Sequence, residues 1–136
     1  MSKFFADTNV FIRYLTNDDP EKADRVERLL HQAIEGEVTL TTSVLVIAEL
    51  VWTLESYYGL SRSEVAEKLT LILNTPNLEV PERQRILRGF SLYVEKNIDF
   101  IDAYNAFFAK DHGITHLLTY GKKHFKRVGW LKRAEP

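Results

Sequence analysis

The sequence predicts a single α/β domain in which helices sandwich a central, mostly parallel sheet. Short apolar strand candidates alternate with amphipathic helical segments along the chain, which is the order expected of a parallel sheet. The chain has 136 residues, of which 45% are apolar and 27% charged, a composition typical of one globular domain. We therefore expect one domain over residues 1–136, without repeats, linkers or low-complexity segments.

The first half of the chain predicts two strands and four helices. An aromatic run at residues 3–6 reads as a strand, and apolar residues from Val10 onward recur at helical spacing. A second, amphipathic helix is predicted over residues 20–34, ending at Gly36, and a second strand over 38–41. Ser43 can cap a helix over 44–58, and Ser61 to Glu64 has the form of a capping box for a helix ending near Asn74.

The second half predicts a short strand over 78–80 and an amphipathic helix over 82–96. A further helix is expected from Asp99 through Ala109, ended by Gly113. Residues 115–119 predict a strand, 120–126 a polar loop and 128–131 a weak final strand. Ligands of such parallel sheets bind beyond the carboxyl ends of the strands, where Asp7 and Thr119 fall.

Composition excludes several classes of chemistry and location. The chain has no cysteine, so a disulfide framework, a thiolate metal cluster and a cysteine nucleophile are ruled out. The apolar stretch 44–54 is too short to span a bilayer and contains Glu49. We expect a cytoplasmic protein without a membrane partner.

Charge is distributed unevenly although the net charge is only −1. Residues 1–109 hold 11 Lys and Arg against 17 Asp and Glu, whereas residues 110–136 hold 7 against 2. A basic C-terminal region can attract nucleic-acid phosphates. The alternative interpretation is a solvated tail. The candidates for phosphate contact are Lys122, Lys123, Lys126 and Arg127.

Acidic residues occupy three places where a purely structural residue would more often be apolar. Asp7 follows the first strand directly, and the alternative role for it is the N-cap of the next helix. Glu49 is the only charge in an otherwise apolar helical segment, which implies substantial burial and leaves a neutral or ion-paired structural role open. Asp99 is placed to cap a helix, and Asp102, one turn inside, is the candidate ligand.

A divalent cation would make the convergence of these acids favourable. Two carboxylates about 4 Å apart repel by roughly 4 kcal/mol at an effective dielectric constant near 20. Oxygen ligands without cysteine suit a hard ion, Mg²⁺ or Mn²⁺, better than zinc.

The four segments that carry these residues resemble the motifs of PIN domains, in the same order along the chain. They are Phe4 to Asn9, Ser43 to Leu50, Ile101 to Ala103 and Thr119 to Phe125. The length is also similar to that of VapC-type toxins. The resemblance implies a Mg²⁺- or Mn²⁺-dependent endoribonuclease of a toxin–antitoxin pair, which forms a homodimer and is inhibited by a cognate antitoxin whose peptide enters the acidic groove.

The resemblance also implies roles for individual residues. Asp7, Glu49 and Asp102 match the metal-site acids, and Thr8, Asn9 and Thr119 match supporting polar residues. The chain departs from the pattern at Gly121, where the family commonly has an acid. Asp99 is a partial substitute for that acid, and Gly121 puts a second metal position in doubt.

The histidines, the aromatic residues near position 55 and the glycines are interpreted as structural and not as parts of the site. His112 and His116 are four residues apart, but Gly113 lies between them and breaks the single helix that a zinc pair at that spacing needs. His31, in the second predicted helix, and His124, in the basic C-terminal region, are likewise interpreted as non-catalytic. Trp52, Tyr57 and Tyr58 favour a core or a dimer interface over base stacking. The scattered glycines form no phosphate loop.

Three functional hypotheses follow. The leading one is the metal-dependent endoribonuclease, in which water is the nucleophile. The alternative is a binding module of the same fold, weakened by Gly121, that engages RNA or an antitoxin without turnover. A phosphoacceptor receiver domain is disfavoured, because it needs an adjacent acidic pair after the first strand and an acceptor Asp after a middle strand.

Overall fold

The structure is a computed structural model that describes residues 2–121 and 125–136. The described residues form five strands, six α-helices and a short 3-10 helix, Phe125–Arg127. The strands are β1 (Ser2–Phe5), β2 (Val38–Thr41), β3 (Leu78–Glu79), β4 (His116–Leu118) and β5 (Lys132–Ala134). The helices are α1 (Thr8–Thr16), α2 (Pro20–Ile34), α3 (Val44–Ser56), α4 (Arg62–Leu73), α5 (Arg83–Glu95) and α6 (Phe100–Asp111). The predicted α/β class is confirmed, and none of the described helices is long and apolar enough to cross a membrane.

The chain divides into two compact units, residues 1–82 and 83–136. In the first unit, β1, β2 and β3 form a parallel sheet in that order. Leu40 in the middle strand pairs with Phe4 on one side and with Leu78 on the other. Because each strand is joined to the next through helices, the parallel arrangement predicted from the element order is confirmed in this unit.

Polar caps define where the helices of the first unit begin. Asp19 accepts the backbone N–H of Lys22, and Pro20 occupies the first turn of α2. Ser61 and Glu64 form the predicted capping box of α4, each side chain accepting the other's backbone N–H. The bond from the Ser61 backbone N–H, and then the Ser61 hydroxyl, hold the pKa of the Glu64 carboxyl below its ordinary value.

The core of the first unit lies where α3, α4 and the sheet are apolar. Ile47, Leu50 and Leu54 of α3 are fully buried, as are Leu69 and Leu73 of α4. Each buried leucine side chain contributes on the order of 1.5–3 kcal/mol through removal of its surface from water. The buried apolar side chains of α3 and α4 therefore contribute much of the stability of this unit.

The second unit contains a two-stranded parallel sheet of β4 and β5, in which Leu117 pairs with Arg133. Its core includes buried apolar side chains from α5, from α6 and the residues just before it, and from the segment before β5. They are Leu92, Ile98, Ala103, Ala106, Ala109, Phe125, Val128 and Leu131. Trp130 packs against this cluster and donates its indole N–H to the Ala106 carbonyl oxygen. The core thus holds α6 beside the C-terminal segment.

An ion-pair cluster joins α5 to α6 within the second unit. Asp111 accepts hydrogen bonds from Arg88 through both carboxylate oxygens, at 3.0 and 2.6 Å, and from Nε of Arg85 at 2.9 Å. Both arginines also lie over aromatic rings of α6, Arg85 over Phe108 and Arg88 over Phe107. The bonds from Arg88, and then from Arg85, lower the pKa of Asp111 from 3.8 to about 2.

Some predicted elements are wrong in detail. The final strand is Lys132–Ala134 and not residues 128–131. Val128 and Leu131 instead turn their side chains into the core, which removes their segment from strand pairing. The fifth helix begins at Arg83 because Glu82 has a φ of 62°, a left-handed conformation that no α-helix accommodates.

Candidate functional site

Asp7 lies at the carboxyl end of β1 and is the N-cap of α1. Its Oδ1 accepts the backbone N–H of Asn9 at 3.1 Å, and its side chain is exposed to solvent. The sequence left open whether Asp7 caps the first helix, and the structure confirms that it does. The cap engages one carboxylate oxygen, and a carboxylate has lone pairs on both oxygens, so capping and metal binding are chemically compatible. Thr8, which is half-buried, and the exposed Asn9 form the first turn of the same helix.

Thr42 ties the end of β1 to the end of β2. Its Oγ1 donates to the Ala6 carbonyl oxygen at 2.8 Å, and the Ala6 backbone N–H donates to Thr41 at 2.9 Å. The Thr42 side chain is only 2% exposed, so its hydroxyl has no alternative partner in bulk water. Thr42 therefore places the chain that leads to Asp7 beside the chain that enters α3. Sequence reasoning missed it, although three consecutive hydroxyl residues after a strand were a signal.

Glu49 occupies the second turn of α3, which begins where Ser43 Oγ accepts the backbone N–H of Val46 at 3.3 Å. The expectation that Glu49 is buried is wrong, because its side chain is exposed. Only one side of α3 packs into the core, and Glu49 lies on the other side with Leu45 and Trp52, which are 78% and 66% exposed.

Neither Asp7 nor Glu49 forms an ion pair with any of the residues that the structure describes. The alternative of an ion-paired structural Glu49 therefore gains no support within the described chain. Two anionic oxygen donors thus follow the carboxyl ends of two adjacent parallel strands.

In the second unit, Asp99 and Asp102 lie at the start of α6. Asp99 is at the N-cap position but makes no side-chain capping bond, so the expected cap is wrong in this respect. The Asp99 backbone carbonyl still accepts the N–H of Ala103 at 2.9 Å and so starts the helix. Asp102 is half-buried in the first turn of α6, where the helix dipole stabilises a negative charge.

Thr119 follows β4 directly and begins a tight turn. Its backbone N–H donates to Ala134 at 2.9 Å, and its Oγ1 accepts the backbone N–H of Gly121 at the same distance. Gly121 has no left-handed φ. An added Cβ would lie 3.3 Å from Thr119 Oγ1, a side-chain atom that can move. The backbone conformation therefore does not require glycine at this position.

Of the four candidates for phosphate contact, the structure describes Lys126 and Arg127. Lys122 and Lys123 lie outside the described residues. Lys126 is exposed in the 3-10 helix. Arg127 donates from one terminal nitrogen to the carbonyl oxygens of Lys96 and Asn97, both at 3.0 Å. Arg127 thus caps the carboxyl end of α5, a role that the sequence did not suggest.

The histidines form local contacts. His112 stacks on Phe108 and its Nδ1 lies 2.8 Å from the Phe108 carbonyl oxygen. His116 Nδ1 lies 3.0 Å from Thr115 Oγ1. His124 lies outside the described residues. Within each unit taken by itself, the described residues contain no group of three or more His, Asp or Glu side chains gathered as a metal site.

A groove of about 580 Å³ lies in the first unit between α1, α2 and α4. Apolar side chains such as Leu30 and Ile72 line it, while Asp24 and Glu27 of α2 contribute acidic groups. Leu71, 68% exposed, adds apolar surface at its side. Lys68 and His31 also line the groove, which therefore combines apolar contact area with charges of both signs.

Known proteins resemble the chain along nearly its whole length. Residues 4–131 match the model of the PIN domain family, and the chain belongs to that family. It is also similar to a VapC ribonuclease of Aquifex aeolicus (strain VF5), with 28% identity over 124 residues, 91% of this chain and 90% of the relative. Among solved structures, VapBC2 from Rickettsia felis bound to a DNA fragment from their promoter is 19% identical, with a TM-score of 0.39 and coverage of 99% of this chain and 98% of that one.

Proposed function

We propose that the protein is a divalent-metal-dependent endoribonuclease and the toxin of a toxin–antitoxin pair. The observation that carries this proposal is the PIN family match over residues 4–131, which includes all four motif segments and the acids Asp7, Glu49 and Asp102. The similarity to a VapC ribonuclease, which extends over 91% of the chain, supports RNA as the substrate.

Asp7, Glu49 and Asp102 would hold the metal ion, and their chemistry fits Mg²⁺ or Mn²⁺. All three offer carboxylate oxygens, the donors that hard divalent ions prefer. The exposed carboxylates of Asp7 and Glu49 can bind a cation without breaking an ion pair to a described residue. When bound, such an ion polarises a phosphoryl oxygen and lowers the pKa of water, which supplies the nucleophile.

Other residues of the chain orient the site and the substrate in this proposal. Thr8 and Asn9 directly follow Asp7 in the sequence and form the first turn of the helix that Asp7 caps. They are the polar residues that support the site in this proposal. Asp99 supplements the acids from the start of α6, and Thr119 orders the turn after β4. Lys122, Lys123, Lys126 and Arg127 contact RNA phosphates, Arg127 while it also caps α5.

The proposed partners are an antitoxin and a second copy of the chain. In this proposal a peptide of the antitoxin binds over the acids of the site, as the resemblance to VapC-type toxins implies. The apolar exposed side of α3, with Leu45 and Trp52, supports the proposed homodimer. An RNA-cleaving toxin without cysteine is expected to act in the cytoplasm.

Cleavage of RNA with and without Mg²⁺ or Mn²⁺ tests the proposal. Asp7→Asn is the sharpest variant, because Asn caps helices as well as Asp and only the charge is lost. We expect it to reduce cleavage by about 100-fold or more, as loss of a metal ligand does. Asp19→Asn makes the same change at the cap of α2 and should leave cleavage unchanged.

Glu49→Gln and Asp102→Asn extend the test to the other acids, with Glu55→Gln as the control on α3. The circular dichroism spectra of all variants should match that of the wild type. Metal-independent cleavage, or full activity in Asp7→Asn, would refute the site. Wild-type protein that binds RNA or antitoxin but never cleaves would favour the alternative of a binding module.

A further inference from the structure

Arg133 connects β5 to the turn that follows β4. Its Nε donates to the Gly121 carbonyl oxygen, and one terminal nitrogen lies 3.4 Å from the Tyr120 carbonyl oxygen. That terminal nitrogen also lies 2.7 Å from Glu135 Oε1. The guanidinium group therefore lies between the carbonyl oxygens of the turn and the carboxylate of Glu135, which follows β5.

The turn after β4 is fixed from three directions. The Thr119 backbone N–H binds the Ala134 carbonyl oxygen, and the Thr119 hydroxyl accepts the N–H of Gly121. Arg133 then engages the carbonyl oxygens of Tyr120 and Gly121. Both backbone polar groups of Gly121 are thus bonded, although the glycine contributes no side chain.

The guanidinium group is suited to this role in a way that an ammonium group is not. Its planar fork directs several N–H groups to fixed positions, whereas lysine presents a single point charge on a flexible stem. The Arg133 side chain is 22% exposed, so water competes with these bonds only in part.

We infer that Arg133 is a positioning residue for the nuclease site, which holds Thr119 and the backbone of Gly121 in place. This inference rests on the proposed function, in which Thr119 supports the site. The backbone of Gly121, which has no side chain of its own to anchor the turn, is held by an arginine 12 residues later in the sequence. The order of the turn therefore depends on β5.

The test compares Arg133→Ala, Arg133→Lys and the matched control Lys132→Ala. Lys132 is the exposed neighbour on β5, and its loss changes the net charge by the same amount. Nitrogen-15 relaxation reports the backbone order of Tyr120 and Gly121, and steady-state cleavage of RNA with Mg²⁺ or Mn²⁺ reports kcat and KM. The relaxation measurement needs no activity.

We expect Arg133→Ala to lower the order parameters of Tyr120 and Gly121 from about 0.85 to below about 0.6. It should reduce kcat about ten-fold with little change in KM, because misplacement of a site residue slows the chemical step. Arg133→Lys should recover only part of both losses, which distinguishes the fork from the charge. Lys132→Ala should change neither kcat nor the order of the turn.

Unchanged order of the turn in Arg133→Ala would overturn the inference, as would a wild-type kcat despite a disordered turn. Full recovery by Arg133→Lys would also overturn it, because charge alone would then suffice. If Arg133→Ala does not fold, Arg133→Lys decides the question through the same two measurements. A wild-type protein that cleaves no RNA would refute the proposed function instead, and the relaxation data would still show whether Arg133 orders the turn.

Discussion

Asp7 and Glu49, two of the proposed metal ligands, differ in what their side chains do in the fold. Asp7 starts α1 through one carboxylate oxygen, so the residue that ends β1 also directs the chain into the helix. Glu49 has no such local role, because it lies exposed in the second turn of α3.

Gly121 stands where the resemblance to PIN domains predicts an acid, and Gly121→Asp tests that prediction. The backbone is not left-handed there, and the nearest atom to an added Cβ is the movable Thr119 hydroxyl oxygen. A carboxylate would add an oxygen ligand or an acceptor for coordinated water. We expect the Mg²⁺ concentration for half-maximal cleavage to fall about ten-fold.

Gly129→Asp is the control for Gly121→Asp. It adds the same charge to the second unit at an exposed position with no atom within 4 Å of the added Cβ. Its metal dependence should match that of the wild type. If Gly121→Asp folds normally, as judged by thermal unfolding, yet needs as much Mg²⁺ as the wild type, then the missing acid is no defect.

At the scale of elements, α5 and α6 are joined by the Asp111 cluster, which makes the stability of the second unit depend on pH. The folded-state pKa of Asp111 is about 2, below its ordinary 3.8, because Arg88 and Arg85 donate to the carboxylate. The contribution of this carboxylate is therefore complete above about pH 4 and is lost as the pH falls through about 2.

Asp111→Asn should reveal this contribution. At neutral pH the variant should unfold at a lower temperature than the wild type, and the difference should shrink between about pH 4 and pH 2. Thermal unfolding followed by circular dichroism across this range is the measurement. Glu95→Gln, at an exposed acid on α5, serves as the control and should track the wild type. A difference that persists below pH 2 would assign the effect to packing.

At the scale of the whole molecule, the uneven distribution of charge along the sequence predicts affinity for RNA. Residues 110–136 carry the basic excess, while residues 1–109 are acidic overall. Polyanionic RNA is attracted to local positive charge even when the net charge is −1. Arg127 is not replaced in the test of RNA binding, because it also caps α5 and its loss would disturb that helix.

Replacement of Lys122, Lys123 and Lys126 with Gln tests the basic region as a whole. Each lysine that contacts a phosphate should reduce the slope of log affinity against log salt by about 0.7, because fewer counterions are released from single-stranded RNA. The measurement is RNA binding by fluorescence anisotropy in EDTA. Arg25→Gln with Arg28→Gln, at exposed positions on α2, is the control. An unchanged slope would make the region a solvated tail.

The sequence by itself determined the features that depend on neighbouring residues. The capping box of Ser61 and Glu64, the N-cap at Ser43 and the apolar spacing of α2 are local patterns, and the structure confirms each. The position of Asp7 after β1 follows from the alternation of strands and helices in the same way. The family resemblance also rested on the sequence, and the PIN match confirms it. A single domain over residues 1–136 and the roles of the site acids stay predictions.

Only the tertiary structure decided which side of α3 is buried and how residues 128–131 are used. When a helical segment is apolar nearly all round, its sequence does not show which side packs into the core. Glu49 was therefore wrongly expected to be buried. Val128 and Leu131 are residue types that are common in strands, but their side chains pack into the buried cluster beside α6. Thr42 and Arg133 bond to residues 36 and 12 positions away, a separation at which sequence spacing carries no information. Such roles arise only when packing brings distant backbone groups within hydrogen-bonding reach.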